Sequence, residues 1–261
     1  MSGFDIDIGS LLYKSSAGRE NGGGRGPRVP RFLGIQSPYR ALQQEGKAEM
    51  RRTLMTLAAL FWATVVSAQE DRAGDFDYYV LSLSWSSAWC ALEGDARDDP
   101  QCDTGRGLTF ILHGLWPQHE AGWPSFCRTG QRDPSRAETA AMADVMGGSG
   151  LAFYQWKKHG RCSGLSATDY YRTARQAYDS IAIPDVFRQI DRSLTLPASV
   201  IEDAFLEANP GLEGDQITIT CKDGLIQEAR ICLTHELTPR TCGADVIRDC
   251  RLSDAVLEPV R

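Results

Sequence analysis

Two stretches of this 261-residue chain each place a histidine directly before a glycine. The first is Leu108-Thr-Phe-Ile-Leu-His-Gly-Leu-Trp-Pro-Gln118, the second Phe153-Tyr-Gln-Trp-Lys-Lys-His-Gly-Arg-Cys162, with Lys158 immediately before its histidine. One imidazole that accepts a proton, another that donates one and an ammonium group suit proton transfer around a phosphate that gains negative charge. A lone His-Gly pair carries no such meaning. Two of them, in order and with aromatic and cysteine neighbours, form a strong signal. On the second stretch Tyr154 and Lys158 are four residues apart, as are Gln155 and His159, so a helix there sets all four on one broad face.

The neighbouring segments supply elements that can position these groups. Residues 108–112 are β-branched and aromatic, a central strand that delivers His113 at its end. In the preceding apolar segment Tyr79, Leu81, Leu83 and Trp85 alternate with Ser82 and Ser84, the period-2 pattern of a half-buried strand. Four helices are predicted, over 137–146, 150–158, 167–183 and 198–208, the first two separated by Gly147-Gly148-Ser149-Gly150. Ser166 or Thr168 opens the third, and Asn209-Pro210-Gly211 ends the fourth. Alternation over 215–221, a Gly-containing turn at Lys222-Asp223-Gly224 and the segment 225–233 that follows predict a β-hairpin. The stretch from Trp116 to Cys127 is broken by glycine and prolines and holds Trp116 and Trp123, either of which can stack on a nucleic-acid base. His119 and His235 read as a solvated loop residue and a structural one.

The first 49 residues include Asn21-Gly-Gly-Gly-Arg-Gly-Pro-Arg28, too rich in glycine and charge to pack. Met50 then begins a positive, apolar and small-residue succession (Arg51-Arg52, the run to Val66, then Ser67-Ala68), the pattern of a secretory signal peptide. Residues 1–49 are therefore expected to be non-native or an authentic long leader, 50–68 a signal peptide, and 69–261 the mature catalytic domain. The apolar run is too short for a comfortable membrane span. The first 68 residues carry nine of the 28 Lys and Arg and five of the 34 Asp and Glu, so the mature chain has a net charge of −10 against −6 overall. That opposes passive binding of polyanions and leaves room for a locally basic cleft. All eight cysteines follow the proposed cleavage site, and an even count in an exported chain implies four disulfides. Spacing favours Cys90 with Cys102 and leaves the other pairings open. With no C-x-x-C pair, no H-E-x-x-H helix and no phosphate-cradling glycine loop, no metal site and no cofactor are expected.

The two boxes resemble those of the ribonuclease T2 family, H-G-L-W-P and H-E-W-x-K-H-G-x-C. The first matches from His113 to Pro117, the second from Trp156 through Lys158, His159 and Gly160 to Cys162. The resemblance spans roughly 75–250. It implies one α+β domain, a central antiparallel β-sheet with helices packed at one side. It implies a metal-independent endoribonuclease of low base specificity that cleaves single-stranded RNA through a 2′,3′-cyclic phosphate to a 3′-phosphate. His159 would be the base, His113 the acid and Lys158 the charge stabiliser, with Tyr154 and Gln155 at the phosphate and Trp116, Gln118 and Trp123 at the base. It further implies the pairs Cys127–Cys162, Cys221–Cys250 and Cys232–Cys242. The first strand departs from the family's Gln-Trp-Pro with Ser84-Trp85-Ser86. In the second box Tyr154 stands where the family has histidine and Gln155 where it has glutamate, so one potential cation and one carboxylate are missing. An exported periplasmic or extracellular monomer without DNA substrate or stable membrane association is expected. The alternative is an exported RNA-binding or storage relative with weakened or no activity. A metallohydrolase built from His113, His119 and Glu120 lacks a regular element to converge its ligands.

Overall fold

The structure, a computed structural model, describes residues 71–261; the expected leader and the segment before it lie outside the described residues. Strand β1 (Tyr78–Trp85) pairs antiparallel with β2 (Phe110–Gln118) on one side. On its other side it pairs, again antiparallel, with the strand Leu225–Leu233, here β5. The remaining strands are β3 (Leu194–Leu196), β4 (Ile217–Lys222) and β6 (Ala255–Leu257), and the sheet order is β2-β1-β5-β6-β3 with β4 joined to β5.

The sheet is antiparallel but for one pairing. β5 and β6 run parallel through Leu225 and Val256, beside the expected antiparallel centre formed by β2, β1, β5 and β4. The cause lies in the return path after Cys242. Cys250 is bridged to Cys221 near the end of β4, its N–H bonds Ile219 O at 2.8 Å, and the chain then re-enters beside the start of β5. The predicted hairpin forms β4 and β5. Its two-residue turn, Asp223-Gly224, has φ of 50° and 83°, the left-handed pair that suits the twist of the flanking strands.

β1 was expected to leave one face in water, yet all eight of its residues are buried. Tyr79, Leu81, Leu83 and Trp85 enter the main core, together with Met146, Tyr170, Ala174, Ile201 and Phe205 from the helices and Met142 between two of them. On the opposite face Tyr78 and Val80 meet Cys232, Cys242 and Val246, a second small cluster closed by the Cys232–Cys242 bridge.

The helices are α1 (Ser86–Trp89), α2 (Arg136–Ala140), α3 (Ala143–Met146), α4 (Ser149–Lys158), α5 (Ala167–Asp179) and α6 (Ser199–Ala208). The single helix expected over 137–146 is broken into α2 and α3. Met142 N–H reaches back three residues to Thr139 O (3.2 Å) rather than four, a tightening that ends the first piece. The third predicted helix stops at Asp179 instead of 183, because Asn209 takes both backbone groups of Ala182, the N–H at 2.8 Å and the carbonyl at 2.9 Å.

Helix α5, capped by Ser166, ties the site-bearing elements together. Tyr170 donates to Leu115 O (3.0 Å) and Tyr178 to Phe110 O (3.3 Å), both on β2. Tyr171 donates to Ala152 O (2.9 Å) on α4. All four disulfides have the expected partners. Among the described residues no helix is long and apolar enough to cross a membrane.

Candidate active site

His113 owes its orientation to a break in the sheet. The β1–β2 ladder pairs Leu83 with Leu112 and Ser82 with Gly114, so two residues of β2 oppose one of β1 and His113 is the extra one. Such a bulge interrupts the alternation and re-aims a side chain that would otherwise follow the pleat.

The glycine after each histidine has a steric reason. A Cβ on Gly114 would lie 2.4 Å from both Gln155 Oε1 and Trp116 Nε1, which are joined by a 2.8 Å hydrogen bond. A Cβ on Gly160 would lie 2.7 Å from the Trp156 ring and 2.8 Å from that of Tyr170. Any larger residue would push β2 from α4, or α4 from α5.

Trp116 is the centre on which the two boxes meet. His159 stacks on its indole with ring centroids 5.1 Å apart and planes at 26°, while His113 meets it edge-on at 5.2 Å and 78°. Its N–H is held by Gln155, and the Arg230 guanidinium lies over its ring at 5.3 Å. His159 sits just past α4, its own N–H bonded to Gln155 O at 2.9 Å. It is only 4% exposed, and Nδ1 is buried without a hydrogen-bond partner among the described residues. Burial above all, then the charges of Lys158 and His113, push its pKa down to about 3, so the free imidazole is neutral over the physiological range. Lys158 Nζ lies 5.9 Å from the Tyr154 ring centroid, and among the described residues it forms no ion pair.

Of the residues singled out from sequence, the structure thus brings His113, Gln155 and His159 each against Trp116, while Lys158 lies over the Tyr154 ring. Gln155 is 1% exposed and spends its carbonyl oxygen on Trp116, which places it behind the indole rather than on an open phosphate surface. Gln118 is likewise buried, 4% exposed, opposite Tyr78 in the ladder and with Oε1 unpartnered among the described residues. Trp123 is 57% exposed, and among the described residues it makes no ring contact with either histidine. His119 lies 3.7 Å from Asp77, and Glu120 binds Arg240 at 2.8 Å, so neither converges on His113. His235 stacks on Phe76 at 4.3 Å.

Two residues that the sequence reading passed over stand in this site. Glu228 on β5, 2% exposed, bonds His113 Nδ1 through Oε1 at 2.5 Å. Its Oε2 accepts from Arg230 Nε at 2.8 Å and Nη2 at 2.6 Å. Burial alone would raise this carboxyl, but Arg230 and His113 outweigh it and hold the pKa at about 2. The available signal was an acid and an arginine two apart, hence on one face, in a strand whose only other polar residue is Gln227.

The Cys127–Cys162 bridge, with Phe126 N–H on Lys158 O at 2.8 Å, fastens the loop after β2 to the end of α4. Replacing both cysteines by alanine is expected to lower stability by about 2–5 kcal/mol. Urea unfolding of the two proteins measures it, and an unchanged midpoint would mean the loop is held by other contacts.

Comparison with known proteins agrees with this geometry. The ribonuclease T2 family model matches residues 76–242. A ribonuclease of Aeromonas hydrophila is 39% identical over 127 residues, 48% of this chain and 56% of that one. Ribonuclease I of Escherichia coli is 29% identical over 150 residues, 42% of this chain and 56% of its own. The chain spans about half the length of the curated relatives it matches. Among solved structures, an RNase-related protein from Calystegia sepium superposes with a TM-score of 0.55 at 19% identity, covering 71% of this chain and 98% of its own, a likeness of fold alone. With both boxes, their linking disulfide and the sheet that carries them falling inside the matched span, the chain belongs to the ribonuclease T2 family.

Proposed function

We propose that the protein is an endoribonuclease that cleaves single-stranded RNA by using the ribose 2′-OH as nucleophile. The observation that carries this is the gathering of both imidazoles on one indole, His113 at 5.2 Å and His159 at 5.1 Å, with Lys158 beside them. His159, buried and neutral, takes the 2′-OH proton as the 2′-oxygen attacks phosphorus. The bond from phosphorus to the 5′-oxygen breaks, and His113 protonates that oxygen. Lys158 stabilises the charge that gathers on the phosphoryl oxygens.

The product is a 2′,3′-cyclic phosphate. Water then opens it to a 3′-phosphate with the two histidines exchanging roles. The nucleophile belongs to the substrate and both proton carriers belong to the protein, so the step asks for no metal or cofactor. Exposed Trp123 offers a sequence-tolerant stacking face, which fits low base specificity. Four disulfides among the described residues fit export to the periplasm or medium. We assign the enzyme as a monomer without stable membrane association.

The test is digestion of single-stranded RNA by the purified protein with and without a chelator, followed by analysis of product ends. Cyclic phosphates should form first and 3′-phosphates later, at a rate the chelator leaves unchanged. Products with 5′-phosphate ends, or loss of the rate on chelation, would refute the assignment.

A further inference from the structure

His113 and Glu228 are on strands that do not touch. β2 and β5 flank β1 on opposite sides, so their backbones are roughly 9–10 Å apart at the usual strand spacing. Their side chains meet because of what β1 places beneath them. Ser82 opposes Gly114 on one side and Arg230 on the other, and Ser84 opposes Glu228. Both serines are small and lie on the face away from the main core. Together with the bulge at His113 they leave a channel across β1 in which the imidazole and the carboxylate close to 2.5 Å. A branched side chain at 84 would fill it.

The carboxylate is fully committed in this arrangement. One oxygen holds His113 Nδ1 and the other takes two donors from Arg230, whose guanidinium in turn covers the Trp116 ring. A buried carboxylate costs several kcal/mol to desolvate unless both oxygens are satisfied, and here both are. An ion pair that served only to neutralise the carboxylate within β5 would need Arg230 alone. The bond to His113 links it to the proton-carrying group.

We propose that Glu228 is the positioning residue of the acid, its carboxylate holding the Nδ1 edge of His113 so that only Nε2 exchanges a proton with the substrate, and that Arg230 holds that carboxylate in place. The site thereby regains, from β5 and on the other histidine's side, a carboxylate where α4 carries only the neutral Gln155. The kinetic consequences rest on the proposed ribonuclease activity; the geometry does not. The charged and titratable groups around His113 are Glu228 and Arg230 of β5, with His159 and Lys158 from the end of α4.

The test compares the native protein with Glu228→Gln and Glu228→Asp on single-stranded RNA across pH. Glu228→Gln should lower kcat about 10²-fold with little change in KM, because the loss falls on the transition state and not on binding. Glu228→Asp keeps a carboxylate at shorter reach, so kcat should fall less than in Glu228→Gln. Because a half-buried guanidinium left without its carboxylate can weaken the strand, the paired variant Glu228→Met with Arg230→Met removes both charges at similar volume.

Nitrogen NMR of His113 gives a readout independent of turnover. The neutral ring should carry its proton on Nδ1 in the native protein and lose that preference in the paired variant. Folded variants with unchanged kcat and tautomer would overturn the proposal and leave the ribonuclease assignment standing. A native protein that fails to cut RNA would overturn that assignment, while the tautomer measurement would still decide the positioning role.

Discussion

His113→Ala and His159→Ala are each expected to lower the rate of RNA cleavage by at least about 10²-fold, the low end for loss of a general acid or base. The two losses have different origins. His159 is buried, and its depressed pKa of about 3 comes first from desolvation and then from Lys158 and His113. It therefore awaits substrate as a neutral imidazole, able to accept a proton. A phosphate anion bound beside Lys158 and His159 would offset the Lys158 charge that holds the ring's pKa down, which raises the basicity of the ring as the 2′-OH proton leaves. His113 is held on Glu228 and has to give a proton, so its loss leaves the 5′-oxygen to depart as an unprotonated alkoxide. Removing both should cost far less than the product of the single losses, because the two act in one concerted transfer. Steady-state kcat/KM on one defined oligoribonucleotide, for the native protein and the three variants, measures this. A fall of less than tenfold in either folded single variant would mean that proton transfer does not depend on that ring.

Much of this site could be read from the chain because its parts are local. The boxes themselves, the Tyr154–Lys158 and Gln155–His159 spacings and the Asp223-Gly224 turn depend on residues within four or five positions of each other. The unreadable parts are those set by strand order. Glu228 reaches His113 across 115 positions, and only the order β2-β1-β5 over two serines makes that contact possible. Ser82 and Ser84 looked like the wet face of an amphipathic strand. They are buried because His113 and the β5 pair close over them, which no alternation pattern encodes. The bulge was hidden for the same reason, since it exists only relative to β1. Gln155 makes a contact that its position on the helix face did not announce. Its partner, Trp116, comes from the other box, and the missing Cβ of Gly114 is what lets them meet.

An RNA strand carrying a single 2′-O-methyl group is expected to resist cleavage at the phosphate that follows that sugar and to be cut normally elsewhere. The physical argument concerns where the nucleophile comes from. A 2′-oxygen beside its own phosphate is present at an effective concentration of about 10⁵–10⁸ M, a barrier reduction of roughly 7–11 kcal/mol that an external water cannot match. Neither His113 nor His159 adds nucleophilic atoms in the proposed step; they only move protons. Methylation removes the proton His159 would take and blocks the oxygen that would attack, so the rate at that one linkage should fall on the order of 10⁵-fold. An all-deoxy strand should remain intact for the same reason, although its phosphates and bases could still meet Lys158 and Trp123. Binding and cleavage are thereby separated: the methylated strand should compete with RNA for the site while surviving it. Gel analysis of a strand with one modified position provides both internal control and answer. Cleavage at the methylated position at a rate comparable to its neighbours would mean that water attacks directly, and the two histidines would then need different partners from those assigned here.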